Sequence, residues 1–258
     1  MNKFQKLKLV RGHILNWHLW LSDYFKLTNS SVYYLKNGLI FKTCKGAHNT
    51  FFHVWVRDCY KTKESIKPKD IVIDIGSNVG FFSILASNLC MEGKIHSIEA
   101  CPSNFKKLKG NIKINNIKNI IPFNFAMGSS SKIRELHISK ENEGGHGFYK
   151  NDSPGRIIKV KGKTLNDFIK ENKIEKIDFI KVDCEGAEYE IFESLDNDNF
   201  EKIRLLAMEI HQIEGKNPLK LMDLLKRKGF FVEILEQQTN KTILIIAKKF
   251  LPPKHLNS

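Results

Sequence analysis

The stretch Ile71-Val72-Ile73-Asp74-Ile75-Gly76-Ser77-Asn78-Val79-Gly80-Phe81-Phe82 decides the fold. β-favouring residues run into an acid and a glycine-containing turn, and an apolar helical pattern follows at once. Strand, tight turn and helix in that order place backbone amides and one carboxylate at the carboxyl end of a first parallel strand. Open α/β sheets bind nucleotides there.

The glycine spacing narrows the ligand. A dinucleotide fingerprint needs Gly-x-Gly-x-x-Gly, whose middle glycine lets a pyrophosphate lie against the backbone. Gly76, Asn78 and Phe81 stand at those positions, so the approach is partly blocked. The remaining Asp-x-Gly-x-x-x-Gly suits an adenosine without phosphates, and S-adenosylmethionine is the candidate. Lys94 to Glu99 reads as a second strand ending in an acid. Glu99 lies 19 residues beyond Gly80, near the ~20-residue offset at which a carboxylate accepts hydrogen bonds from ribose hydroxyls. The plainer alternative is an ordinary βαβ unit with a capping turn and an exposed glutamate.

Downstream, strand and helix alternate. A helix is expected from Gly80 to Leu89, and a second from Asn104 to Asn115 behind the start signal Pro102. Ile120 to Ala126 reads as a third strand. Ser129 to Lys159, rich in Gly, Ser, Asn and Asp, reads as a short strand with a mobile loop. His146 within it belongs to a lid or is a solvated loop residue. Thr164 opens a helix ending near Asn172; Asp178–Val182 and Leu205–Ile210 are buried strands, and Pro218–Lys228 is an amphipathic helix capped by Gly229. Phe230–Leu235 and Thr242–Ala247 flank a short turn, so they pair antiparallel. The sheet is therefore mostly parallel with one antiparallel strand inserted at the carboxyl terminus, the Rossmann-like α/β arrangement of class I methyltransferases.

Upstream, residues 1–65 form a helix and β-hairpin extension to a domain spanning 66–250, with a tail over 251–258. Trp17, Trp20, Leu21, Tyr24 and Phe25 share one helical face. That stripe is expected to pack on its own domain; with basic residues upstream, peripheral membrane contact is the other use. Asn37-Gly38 between two β-rich runs signals a hairpin.

The 258 residues, 41% hydrophobic, suffice for one substantial core. No 18 consecutive apolar residues occur, which excludes a membrane span, and the amino terminus lacks a signal-peptide pattern. Five scattered cysteines without a CxxC pair fit reduced thiols in a cytoplasm. The net charge of +14 suits a polyanionic partner, but the lysines form no arginine-rich or aromatic-interleaved block, so nucleic acid is not the expected partner.

Four blocks resemble the FkbM family of S-adenosylmethionine-dependent methyltransferases: Val72 to Gly80, Ile98 to Phe105, Lys181 to Glu188 (Lys-Val-Asp-Cys-Glu-Gly-Ala-Glu) and Met208 to His211. Ala126-Met127-Gly128 and Thr164 to Asp167 also fit. The family usually has proline where Ala100 follows Glu99, and alanine is common where Ser77 stands; neither change removes a group the cofactor needs. The resemblance implies a class I fold and O-methylation, commonly of a sugar or natural-product hydroxyl, without identifying the acceptor.

Together these readings assign Asp74, Gly76, Ser77, Asn78, Gly80, Glu99, Ala100, Ala126 and Asp183 to the cofactor. Asp183, Glu209 and His211 are assigned to the chemistry, at the carboxyl ends of two parallel strands. Either His211, with a pKa suited to a base near neutrality, or Asp183 removes the acceptor proton, and Glu209 orients His211 or holds a hydroxyl. Glu188 reads as a helix cap, and Glu185 as either a cap or a site residue. No metal site is expected, although Asp183, Glu209 and His211 would offer a cation mixed oxygen and nitrogen ligands. The rival readings are an RNA methyltransferase, a cofactor-binding protein without turnover and an NAD-binding oxidoreductase.

Overall fold

The computed structural model describes residues 3–28, 31–139, 146–147, 154–238 and 242–249. The expected tail, most of the glycine-rich run before His146 and the centre of the last turn lie outside them.

The chain opens with α1 (Lys3–Arg11), α2 (Trp17–Tyr24) and a hairpin of β1 (Val32–Tyr34) and β2 (Ile40–Lys42). Next come α3 (Ala47–Phe51), a π-helical turn over Phe52–Val56, and α4 (Thr62–Ser65). The alternating part runs β3 (Ile71–Ile75), α5 (Phe81–Leu89), β4 (Lys94–Ile98), α6 (Pro102–Ile114), β5 (Ile120–Phe123), β6 (Ala126–Gly128), β7 (Ile133–Ser139), β8 (Pro154–Thr164) and α7 (Leu165–Glu171). It continues with β9 (Phe179–Val182), α8 (Glu188–Glu193), α9 (Asn197–Glu201), β10 (Leu205–His211), α10 (Pro218–Arg227), β11 (Phe230–Gln238) and β12 (Thr242–Lys249).

Seven strands form the central sheet in the order β11-β12-β10-β9-β3-β4-β5. The pairings from β10 through β5 are parallel. β12 runs antiparallel to both neighbours, between β10 and β11. This is the class I arrangement expected from the terminal hairpin. Chain order reverses at β3, whose neighbours are β4 and β9, so a crevice opens above its carboxyl end.

Both faces of the sheet are covered, which explains why its strands read as unbroken apolar runs. Alternate residues enter opposite cores, as a period of two requires: Val72, Phe179 and Ala207 lie on one side, and Ile73, Ile180, Leu206 and Met208 on the other. The first side is packed by α5 together with the amino-terminal segment, through Val10, Trp20, Tyr33, Phe41, Phe51 and Trp55. The tryptophan stripe thus turns inward: Trp20 is buried and donates Nε1–H to the His48 carbonyl, while Phe25 at the end of the stripe stays exposed. No helix among the described residues is long and apolar enough to cross a membrane.

Two asparagines fasten the hairpin to the nucleotide-binding half. Asn111 of α6 and Asn115, which caps its carboxyl end, each accept from and donate to one residue of the β2 edge, Lys42 and Ile40 respectively, at 2.7–3.0 Å. Their amides substitute for a missing neighbouring strand and satisfy backbone groups that would otherwise be open to pairing.

Two expectations need correction. The third strand divides: β5 stays in the main sheet, whereas β6 leaves it to join β7 and β8 in a separate sheet of order β6-β8-β7. The polar segment read as a short strand with a loop supplies β7 and most of β8, which pair antiparallel from Ile133↔Lys161 to Ser139↔Pro154. β7 and β8 bury one face, with Leu136 and Val160, while Ile133 and Ile157 on the other are exposed. The apolar signal is correspondingly thin.

Candidate active site

Gly76 ends β3 with φ +80, a left-handed conformation that costs glycine little. A Cβ there would stand 1.8 Å from the Asp183 carbonyl oxygen, so only glycine lets the turn after β3 meet the turn after β9. The Gly76 and Ser77 amides both donate to the Ile98 carbonyl at 3.0 Å, tying the turn to the end of β4. Glu99 follows that strand, and each of its oxygens accepts a backbone N–H, Oε2 from Asn78 at 2.7 Å and Oε1 from Cys101 at 2.8 Å. Burial nevertheless pushes the Glu99 carboxyl up to about 7, the two amides opposing the shift.

A cleft of about 490 Å³ opens above these ends. Of the residues assigned from sequence, Gly76, Ser77, Asn78, Glu99, Ala100, Ala126, Asp183 and Glu209 line it; Asp74, Gly80 and His211 do not. Asp74 is fully buried under the floor. Its Oδ2 accepts from Ser83 Oγ at 2.5 Å, and its Oδ1 lies 3.3 Å from Lys181 Nζ. Lys181 also donates to the Gly76 carbonyl at 2.8 Å and lies 3.7 Å from Asp183 Oδ2. Burial would lower the Lys181 pKa, but the Asp74 and Asp183 charges overcome it and hold the ammonium protonated. The floor is thus an Asp74–Lys181–Asp183 chain, buried at its first two members and open to the cleft at the third, that joins the turns of β3 and β9.

Beside the nucleoside half stands an acidic half. Asp183 Oδ2 accepts from Tyr60 Oη at 3.1 Å. Glu185 lines the cleft, and burial pushes its carboxyl up to about 7 against the pull of His211. Glu209, hydrogen-bonded by Thr242, is also raised to about 7, first by burial and then by the Asp183 charge. His211 shares the strand face of Glu209 but leans away: Nδ1 lies 2.9 Å from Glu188 Oε1 and Nε2 3.4 Å from Glu185 Oε2. Burial favours neutral imidazole, yet Glu188, then Glu185 and Asp183, outweigh it and raise the pKa well above the ordinary value. His211 is thus held between carboxylates that favour its charged form, which sets it against the near-neutral base expected from sequence.

Sequence reasoning missed several groups. Glu188 does cap its turn, accepting from the Cys184 N–H at 3.1 Å, but it is also the fully buried partner of His211. Lys181 sits inside an apolar strand, and only its place at the start of the Lys181 to Glu188 block marked it. Asn49, Thr50, His53, Cys59 and Tyr60 wall the cleft from the amino-terminal segment, and nothing local in that segment announces it. His146 also lines the cleft, its Nδ1 accepting from the Ser139 N–H at 3.0 Å.

The nucleoside half suits S-adenosylmethionine: a glycine cradle beside β9, a carboxylate at the end of β4, small apolar walls at Ala100 and Ala126, and carboxylates where a positive sulfonium gains from them. Among known proteins, the chain is similar to Methyltransferase 1 of Beauveria bassiana, 22% identical over 206 residues that cover 71% of this chain and 82% of that protein. It is 22% identical to the hexuronic acid methyltransferase AglP of Haloferax volcanii over 70% of this chain and 72% of that one. To the 31-O-demethyl-FK506 methyltransferase FkbM of Streptomyces tacrolimicus it is 21% identical over 65% and 75% respectively. Residues 74–232 match the methyltransferase FkbM domain, from the first acid of the turn into β11; the chain belongs to this family of S-adenosylmethionine-dependent methyltransferases.

Proposed function

We propose that the chain transfers a methyl group to a hydroxyl of a saccharide, glycan or related metabolite. The observation that carries this reading is the convergence of the Asp183, Glu185 and Glu209 carboxylates on the half of the cleft beside the nucleoside cradle. A hydroxyl attacks poorly until its proton is leaving, and carboxyls near neutrality are well matched to take it. Relatives named for a hexuronic acid and for a demethylated FK506 position support an oxygen acceptor.

The bound cofactor supplies an electrophilic methyl on a sulfonium centre. Glu209, raised to about 7, is the group we assign to receive the acceptor proton. Asp183, fixed by Tyr60 and Lys181, stands at the boundary between the halves and orients the hydroxyl. His211 holds Glu185 in place from behind instead of serving as the base. Alignment is the larger part of the rate, since near-attack geometry supplies about 7–11 kcal/mol.

The test is to incubate the protein with methyl-labelled S-adenosylmethionine and separate glycan, lipid-linked saccharide, small-metabolite and RNA fractions. Label in a methyl ether that survives base treatment, lost in Asp183→Ala, is the expected result. Label confined to RNA, or undiminished turnover in Asp183→Ala, overturns the reading.

A further inference from the structure

Asp183, Glu185 and His211 each offer one donor atom, and the three atoms lie within 4.8 Å of one another. Donors sharing a divalent cation sit about 2.0–2.6 Å from it and hence no more than about 5 Å apart. We propose that these three residues form a divalent-cation site at the acceptor end of the cleft, with Asp183 and Glu185 supplying oxygen and His211 supplying Nε2.

The imidazole is set up for this. Its Nδ1 faces Glu188 Oε1 at 2.9 Å, which leaves Nε2 turned toward Glu185. Metal-bound histidines almost always give their other N–H to a carboxylate, a backbone carbonyl or water, which fixes ring and tautomer. A second observation concerns charge. Glu188 is fully buried, and its Oε2 has no hydrogen-bond partner among the described residues. A buried carboxylate oxygen left bare is costly unless positive charge lies near. His211 faces both Glu188 and Glu185, and Lys181 is shared between Asp74 and Asp183, so the carboxylates here outnumber the cations. An ion would sit between His211 Nε2 and the Glu185 carboxylate in place of their direct contact.

Glu209, the third donor expected from sequence, is outside the set, hydrogen-bonded by Thr242. Base and ligands are thereby separated. Because Asp183 and Glu185 line the cleft, the remaining coordination positions face the acceptor. That favours an acceptor presenting two neighbouring oxygens, such as vicinal hydroxyls or a hydroxyl beside a carboxylate. This statement about the acceptor rests on the O-methylation reading, whereas the ligation does not.

The experiment titrates Mn²⁺ into chelator-stripped full-length protein and follows free Mn²⁺ by electron paramagnetic resonance. One tightly held ion per chain is expected, with affinity lowered at least about tenfold in Glu185→Gln and in His211→Gln, and unchanged in Glu236→Gln at the cleft rim. Glu185 is partly exposed, so its variant keeps the fold and carries the test if His211→Gln is unstable. No binding by the wild type, or wild-type affinity in both ligand variants, removes the site. If Mn²⁺ binds as stated and no hydroxyl acceptor gains label, the proposed reaction fails while the ion site stands. Labelled product from protein that binds no Mn²⁺ removes the ion site alone.

Discussion

The two halves of the cleft are built from different material. The nucleoside half is mostly backbone: two amides of the Gly76 turn spent on Ile98, two more spent on Glu99, and a glycine where any side chain would strike the Asp183 carbonyl. The acidic half is mostly side chains drawn from β9, β10 and the amino-terminal wall, several of them near neutrality. Backbone geometry tolerates little change, whereas side-chain chemistry can be exchanged while the fold persists. A family that keeps one cofactor and varies its acceptor would be expected to divide its cleft this way.

The sharpest way to break the first half is Gly76→Ala. The methyl would overlap a backbone oxygen that no rotamer change can move, at a φ that alanine resists. Destabilisation beyond about 4 kcal/mol is expected, a size reached only by such mechanisms, together with loss of cofactor binding. Chemical denaturation and a cofactor titration check it; near-wild-type stability would mean that the turns of β3 and β9 are not in contact.

In the acidic half the corresponding change is Glu209→Gln, which keeps shape and removes the base. Loss of about 10²–10⁴ in kcat is expected, with cofactor affinity nearly intact. The wild-type rate should rise with pH through about 7 as the carboxyl ionises, and the variant should lack that limb if Glu209 is the group titrating. Stability carries the opposite sign. A carboxyl raised from 4.5 to about 7 contributes stability that is fully present below 4.5 and lost as pH rises through 7. The wild type's advantage in melting temperature over Glu209→Gln should therefore shrink across that window. A constant gap would show that Glu209 has an ordinary pKa.

Glu99→Gln comes next. It retains an acceptor for one amide but loses the charge, and charge-assisted hydrogen bonds are worth about 1.5–3 kcal/mol. Cofactor affinity should fall about 10- to 100-fold with acceptor KM unchanged, measured by calorimetry and steady-state kinetics. If KM moves and the cofactor does not, the halves have been assigned the wrong way round.

The contrast also explains what the sequence could tell. The place of Gly76 and Glu99 at the cleft was legible because a backbone cradle imposes fixed spacings on a short stretch of chain, that of Asp183 because it follows an apolar parallel strand, and the terminal hairpin of β11 and β12 announced itself by apolar runs around a turn. Tyr60, Thr50 and His53 were not legible, since they reach the cleft only because the amino-terminal segment packs on Phe82 and on Phe179, the latter more than 100 residues away in sequence. Glu188 was half legible: one carboxylate serves the local cap and a histidine 23 positions on, and only the first is a sequence-local relation. β7 and β8 were obscured because a sheet covered on one face needs few apolar residues.

Tyr60→Phe probes that non-local wall with a smaller effect. Losing one hydroxyl that donates to Asp183 is expected to cost about 0.5–1.5 kcal/mol, or about 2- to 10-fold in kcat, with the fold unchanged because the ring stays buried. A wild-type rate would show that Asp183 needs no help in facing the acceptor.

The smallest effect concerns how the wall is held. Arg57, just after the π-helical turn, makes a two-pronged contact with Glu236 of β11, at 3.0 and 3.4 Å, and Lys61 meets Glu233 at 3.3 Å. Both pairs are substantially exposed, so each is worth under about 1 kcal/mol, and Arg57→Ala should lower the melting temperature by no more than about 4 °C. Their use is positional. They fasten the turn carrying His53 to the far edge of the sheet, so loosening them should raise the acceptor KM about 2- to 5-fold and leave cofactor affinity alone. Because exposed pairs are screened, wild type and variant should converge in acceptor KM as salt rises toward about 1 M, where charge interactions fade beyond about 3 Å. A KM difference that persists unchanged in high salt would locate the Arg57 contribution in the packing of its stem, and would leave the wall held by its buried aromatic residues alone.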